Sequence, residues 1–268
     1  MKTLRMIALS LLLLATLVSV GASRLAPHDY AAQFREHVDE PPSRAFPLGT
    51  DELGRDRFSR LLEASRVSLL CAPAAALIAT LIAATAGLAA GYFGGWIDAL
   101  LSAVMDLFLS LPWLFLLLTL RALLPLNISP AASLAVTFFS LACFGWASGA
   151  RVVRAGTANL RDAGPILHAR AYGCGSLRLL WRHVLPNLRP IIAAQFWILV
   201  PVFLLTEANL GLLGLGIMEP LPSLGNMMTE LQNYQKIPEA PWILTPAVLL
   251  VLIIGSLHFA ISEKKTWE

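Results

Sequence analysis

The chain predicts an all-α, polytopic membrane protein with about six transmembrane helices. Three observations carry this. The 268 residues are 57% hydrophobic and only 14% charged, with mean hydropathy +0.68. Apolar residues gather into stretches near the span of about 20 residues that a hydrocarbon core requires. Polar stretches separate them, the longest being an early polar segment, one basic loop and residues 216–241. A soluble domain of this length does not carry such a balance.

The first stretch has a charged head, Lys2 and Arg5, and an apolar run to Val20. A cleaved signal peptide has the same look, with Gly21-Ala22-Ser23 as a cleavage site. A retained first helix is preferred, because further spans follow. Residues 22–66 are polar, with Pro41-Pro42 and mixed charges. Within them, Arg55 to Leu70 is expected to form a helix lying at the membrane interface. Phe58, Leu61, Leu62 and Leu69 recur at helical spacing, with Arg57, Arg60, Glu63 and Arg66 between them.

Five more apolar regions follow, at 67–92, 99–120, 131–149, 191–215 and 242–261. Gly94-Gly95-Trp96-Ile97-Asp98 is a turn between the first two. Pro112 and Pro201 are positions where a span would kink. The expected organisation is an N-terminal helix with an outer segment (1–66), a transmembrane domain (67–261) and a polar tail (262–268). Residues 150–190 form the basic loop of the transmembrane domain.

Charge sets the expected orientation. With the N-terminus inside, Lys and Arg divide 11 inside against 9 outside. That margin is weak, and acidic residues contribute little to the rule. The local signal is better, since 150–190 holds seven arginines against one acid, Asp162. Both termini and this loop are therefore read as cytoplasmic. The net charge of +3 is too small to argue for nucleic acid. Cys71, Cys143 and Cys174 have no metal-ligand or CxxC spacing.

Two segments resemble the inner-membrane permeases of dipeptide/oligopeptide ABC importers. One is Phe46-Pro47-Leu48-Gly49-Thr50-Asp51-Glu52-Leu53-Gly54-Arg55-Asp56 with Ser59-Arg60-Leu61. The other is the basic loop, where Gly173 stands twelve residues before Leu185 in Trp181-Arg182-His183-Val184-Leu185-Pro186-Asn187. Asp106 with Leu111-Pro112, Glu207-Ala208-Asn209-Leu210 before Leu213-Gly214-Leu215-Gly216, Ser223-Leu224-Gly225-Asn226, and Ala240-Pro241-Trp242 continue the series in order. The resemblance implies the type I importer permease fold, a bacterial inner-membrane location and a cytoplasmic coupling helix. It further implies partners: a second permease subunit, two ATPase subunits that carry ATP and magnesium, an extracytoplasmic solute-binding protein and membrane lipid. No cofactor would bind this chain directly. Peptides are the implied solute, although relatives carry nickel or other small solutes.

The resemblance assigns the coupling contact to Leu167, His168, Ala169, Arg170, Ala171, Tyr172, Gly173, Leu185 and Pro186. A short helix is expected from about Pro165 to Tyr172, with Pro165 in its first turn and Gly173 ending it. Where the family carries Glu-Ala-Ala six residues before the glycine, this chain reads Leu167-His168-Ala169. An acidic contact to the ATPase is thereby missing.

Asp106 and Glu207 lie in apolar spans, where an ionised carboxylate costs about 2.5–3.5 kcal/mol on insertion scales. With Asn209 they form the candidate solute-pathway set; a hydrogen bond to a neighbouring helix is the plainer role. The chain lacks Gly-x-x-x-x-Gly-Lys-Ser/Thr and any Gly-Lys pair, which excludes a phosphate-binding loop. Its five histidines show no His-Glu-x-x-His pattern. No residue pattern supports an enzyme. Two other readings stay open: an ion-coupled secondary transporter using Asp106 and Glu207 as relay, and a non-transporting permease derivative. A cysteine placed at His168 in a cysteine-free chain is expected to react with a membrane-impermeant thiol reagent only from the cytoplasmic face, as read by labelling right-side-out and inverted vesicles.

Overall fold

The computed structural model describes residues 2–125 and 127–261. The expected polar tail, 262–268, lies outside the described residues. Helices α1 (Lys2–Val20), α2 (Ala22–Leu25), α3 (Arg57–Phe93), α4 (Gly95–Ser110), α5 (Trp113–Ala122) and α6 (Pro130–Gly145) make up the first half. Then come α7 (Ala147–Arg161), α8 (Gly164–Ala171), α9 (Ser176–Leu179), α10 (Leu185–Leu212), α11 (Leu224–Met227) and α12 (Thr245–Ile261). No sheet forms among the described residues; a single bridge pairs Thr50 with Asp56. This is the all-α polytopic membrane architecture, and its chemical basis is simple. In hydrocarbon every backbone polar group must be satisfied within the segment, which a helix does.

Four helical runs are long and apolar enough to cross a bilayer: Arg57–Phe93, Pro130–Arg161, Ser176–Leu212 and Pro241–Ala260. Helices α4 and α5 pass that test together but are bent by 73° at their junction. Pro112 explains the break, because the residue before a proline is driven to extended backbone, and Leu111 has φ −89° and ψ 133°. Met6–Val20 in α1 is a shorter apolar stretch, so among the described residues four segments, or five with the bent pair, reach span length where about six were expected. Pro201, by contrast, sits inside the uninterrupted α10.

One expectation is corrected. No separate interfacial helix spans Arg55 to Leu70; α3 starts at Arg57 and runs on for 37 residues. At 1.5 Å per residue it is about 55 Å long, well beyond a hydrocarbon core of about 30 Å. Its first turn is capped by Asp56, whose carboxylate accepts from the Phe58 amide at 3.1 Å, the Ser59 amide at 3.3 Å and the Ser59 hydroxyl at 2.5 Å. Nor are Arg57 and Arg60 solvated. Arg60 donates to Glu219 at 2.9 and 3.1 Å, and Arg57 donates to the Thr50 carbonyl at 2.8 Å and pairs with Glu230. Charges that pattern reading assigns to water are buried because acids from residues 219–230 meet them. Burial keeps the Glu230 carboxyl above the usual carboxylate range despite the opposing pull of Arg57.

The chain divides into two compact units. The first comprises residues 1–72, 121–137 and 201–268, and in it α1 packs along α12. The second comprises 73–120 and 138–200 and contains α4, α7, α8 and α9. In the second unit α3 and α7 approach so closely that a Cβ at Gly87 or Gly91 would lie 2.6 Å from the Ala150 carbonyl oxygen or 2.5 Å from that of Arg154. Those contacts are backbone and cannot rotate away. Gly91→Ala is therefore expected to destabilise the purified protein by about 1–3 kcal/mol. Gly255→Ala, which meets open space, should leave the thermal unfolding midpoint unchanged or raise it.

Candidate functional site

The basic loop folds as a short helix seated on a small core. Helix α8 has Pro165 in its first turn, where a missing N–H costs nothing. It is closed by Gly173 at φ +77°, a conformation that glycine adopts without strain; the Gly173 amide donates to the Arg170 carbonyl at 3.0 Å. One side of α8 is buried: Ile166 joins Tyr92, Val153, Leu179, Val184 and Leu188, with Ala169 and Cys174 packed at the edge. The guanidinium of Arg170 lies 5.4 Å from the centre of the Tyr92 ring, a cation–π contact.

The opposite side of α8 is open. Leu167, His168, Arg170, Ala171, Tyr172 and Gly173 are exposed, Tyr172 to 90%. Ala169 is half-buried, as are Leu185 and Pro186. The expected coupling set thus divides. Leu167, His168, Ala171 and Tyr172 face away from Ile166, Arg170 lies one turn from Ile166 and reaches Tyr92, and Leu185 and Pro186 are half-buried at the start of α10.

The segment leading into α10 has an unusual backbone. Residues Leu180–Val184 form a π-turn. Pro186 lacks the N–H that would bond the Arg182 carbonyl, and Asn187 Nδ2 donates instead to the His183 carbonyl at 2.6 Å. The turn brings Leu179, Val184 and Leu188 inward together. A π-turn within a helix is often a functional element. Next to α8, Asp162 accepts from Arg161 at 3.1 and 3.2 Å. That arginine holds the Asp162 carboxyl below the usual carboxylate range.

The pathway residues sit in different settings. Glu207 is fully buried and accepts from Ser68 Oγ at 3.3 Å, and the same hydroxyl accepts the Leu224 amide at 3.4 Å. Asn209 is exposed two residues further along α10. Asp106, on α4, is exposed and pairs with Arg151 on α7. Below that pair, Arg154 Nη2 donates to Asp98 at 2.7 Å.

Several of these residues escape pattern reading. Ile166, Leu179, Val184 and Leu188 carry only the i, i+4 spacing of 184 and 188 as a signal. Arg121 carries none. It is a buried cation in an apolar helix, satisfied by the Leu215 carbonyl at 2.8 Å and by Ser133 Oγ at 2.9 Å.

Comparison with known proteins bears on this geometry. The family model of the binding-protein-dependent transport system inner membrane component matches residues 83–266. The chain belongs to that family. The match takes in α8, its supporting π-turn and α10. An oligopeptide transport system permease protein, OppC, from Bacillus subtilis is 31% identical over 227 residues, covering 85% of this chain and 72% of the relative. A di/tripeptide transport system permease protein, DppC, from Pseudomonas aeruginosa is 32% identical over 248 residues, covering 90% and 79%. The dipeptide transport system permease protein DppC of B. subtilis is 33% identical over 227 residues, covering 85% and 69%. The chain is thus a permease-family, multi-pass membrane protein, and its relatives are permease subunits rather than enzymes.

In this permease, burial of Ile166 holds α8 to its core. Ile166→Ala is expected to cost about 2–5 kcal/mol locally, seen as faster amide exchange across 164–173 with α12 unaffected. Leu167→Ala, on the exposed side, should change that exchange by no more than about 0.5 kcal/mol.

Proposed function

We propose that the chain is one permease subunit of an ABC importer for peptides and that the exposed side of α8 is its contact with an ATPase. The observation that carries the reading is a short helix with one side locked into a core and the other side bare. A coupling element must be stiff and exposed, so that displacement of a soluble partner moves the spans as a rigid body. Leu167, Ala171 and Tyr172 offer apolar contact, with His168, Ala169, Arg170 and Gly173 around them. Leu185 and Pro186 start the helix α10 that carries Leu188 into the core under α8.

In this reading α8 and both termini face the cytoplasm of a bacterial inner membrane. A second permease subunit completes the pathway, and an extracytoplasmic binding protein delivers the solute. Two ATPase subunits hold ATP and magnesium, and this chain holds no cofactor. Nucleotide binding draws the ATPases together, the coupling helices follow, and the spans open outward. The names of the relatives support peptides as solute. Asp106, Glu207 and Asn209 are the pathway candidates, with Asp106 the most accessible carboxylate of the two. Leu167 in place of the family's usual Glu shifts the ATPase contact from ionic to apolar.

Co-purification with the ATPase subunits tests the reading. Tyr172→Ala combined with Leu167→Asp is expected to reduce recovery of the ATPase subunits at least about tenfold, the scale of a lost hot spot, while the permease itself is recovered undiminished. Undiminished ATPase recovery would sink the proposal.

A further inference from the structure

Most charges on the spanning helices are covered: Arg121 and Glu207 are buried, and Asp98 and Arg154 are half-buried around each other. One pair is not. Arg151 Nη2 donates to Asp106 Oδ1, yet the two side chains remain 54% and 65% exposed. Asp106 lies about 16 Å along α4 from Gly95, and Arg151 lies one turn into α7. Both helices belong to segments apolar enough to span a bilayer. Charged groups in such segments face a polar space or a partner rather than lipid.

The neighbouring residues say which. Helix α4 carries two exposed lines. Ala99, Asp106 and Ser110 recur at spacings of seven and four and share one line, with Ala103 at its border. Trp96, Leu100 and Leu107 share another, bulky and apolar. On α7 the exposed line through Arg151 continues with Ser148 and Asn159. Large apolar side chains suit lipid, whereas a line of small and polar ones suits a water-filled passage.

We propose that Asp106 and Arg151 line the solute passage and take the two opposite charges of a zwitterionic solute, such as the free termini of a short peptide. This rests on the permease reading given above. Held together, the two side chains leave the passage wall without net charge. A zwitterion offers its ammonium to Asp106 and its carboxylate to Arg151, so one ion pair is exchanged for two. The exchange is easy because an exposed ion pair is held weakly. A solute with a blocked terminus makes only one of the two contacts and leaves the other charge unpaired.

The test uses the assembled importer in proteoliposomes with one binding protein throughout. ATP-driven uptake of alanyl-alanine is compared with that of its amide, in the wild-type chain and in the Asp106→Asn/Arg151→Gln variant. The ratio of the two rates is expected to fall by about tenfold in the variant, the scale of a lost charge-assisted contact. An unchanged ratio overturns the proposal. A second measurement needs no transport. In a chain cleared of Cys71, Cys143 and Cys174, Ala99→Cys should react with a charged, water-soluble thiol reagent much faster than Leu100→Cys. Equal rates overturn the proposal, because the polar line then faces lipid or the second permease. Absence of ATP-driven uptake by the wild-type chain defeats the permease reading itself, whatever the thiol rates.

Discussion

The architecture around the basic loop turns on the burial of one isoleucine. Ile166 is the side chain through which a helix of eight residues is fastened to the rest of the second unit. An isolated helix of that length does not persist in water, since its few hydrogen bonds do not offset the cost of nucleation. Its order is borrowed from Tyr92, Val153, Leu179, Val184 and Leu188, which arrive from α3, α7, α9, the π-turn and α10. The outward side chains are held in place because the inward one is packed. Stiffness, exposure and attachment to the spans therefore have one physical source.

The second constraint is the treatment of charge in an apolar environment. Several charged groups on the long helices are met in different ways. Arg121 is satisfied by a carbonyl and a hydroxyl, with no carboxylate among its hydrogen-bond partners. Glu207 is met by a serine hydroxyl. Asp98 is clamped by Arg154. Arg57 and Arg60, at the start of the longest helix, are neutralised by acids from the segment that follows α10. Unpaired, any of these would cost several kcal/mol; paired, they hold chain segments together that are far apart in sequence. Glu219 and Glu230 of that segment thus have a structural role.

Family membership and geometry meet at the basic loop. The matched region contains the helix, the glycine that ends it and the leucine–proline pair at the start of α10. The Leu-Pro-Asn run has a local reason: the proline deletes one rung of the helical ladder and the asparagine side chain supplies another. The π-turn just before it places Val184 in the core under α8, together with Leu188. Leu167 falls on the open side of the helix, outside the core that holds α8.

Much of the fold was legible in the chain itself. Helical class, the apolar regions, the break at Pro112 and a short helix between Pro165 and Gly173 all follow from local causes: span length, the geometry before proline, and the backbone freedom of glycine. What was not legible depends on partners distant in sequence. The reading of Arg55 to Leu70 as a separate interfacial helix failed because the acids that cover Arg57 and Arg60 lie more than 150 residues away. The pairing of Asp106 with Arg151, the seat of Ile166, and the division of the loop residues into exposed and half-buried ones have the same character. Hydrophobicity and backbone preference are written residue by residue, so sequence alone decides them. Which charge meets which, and which side of a helix is covered, is decided only when the helices pack.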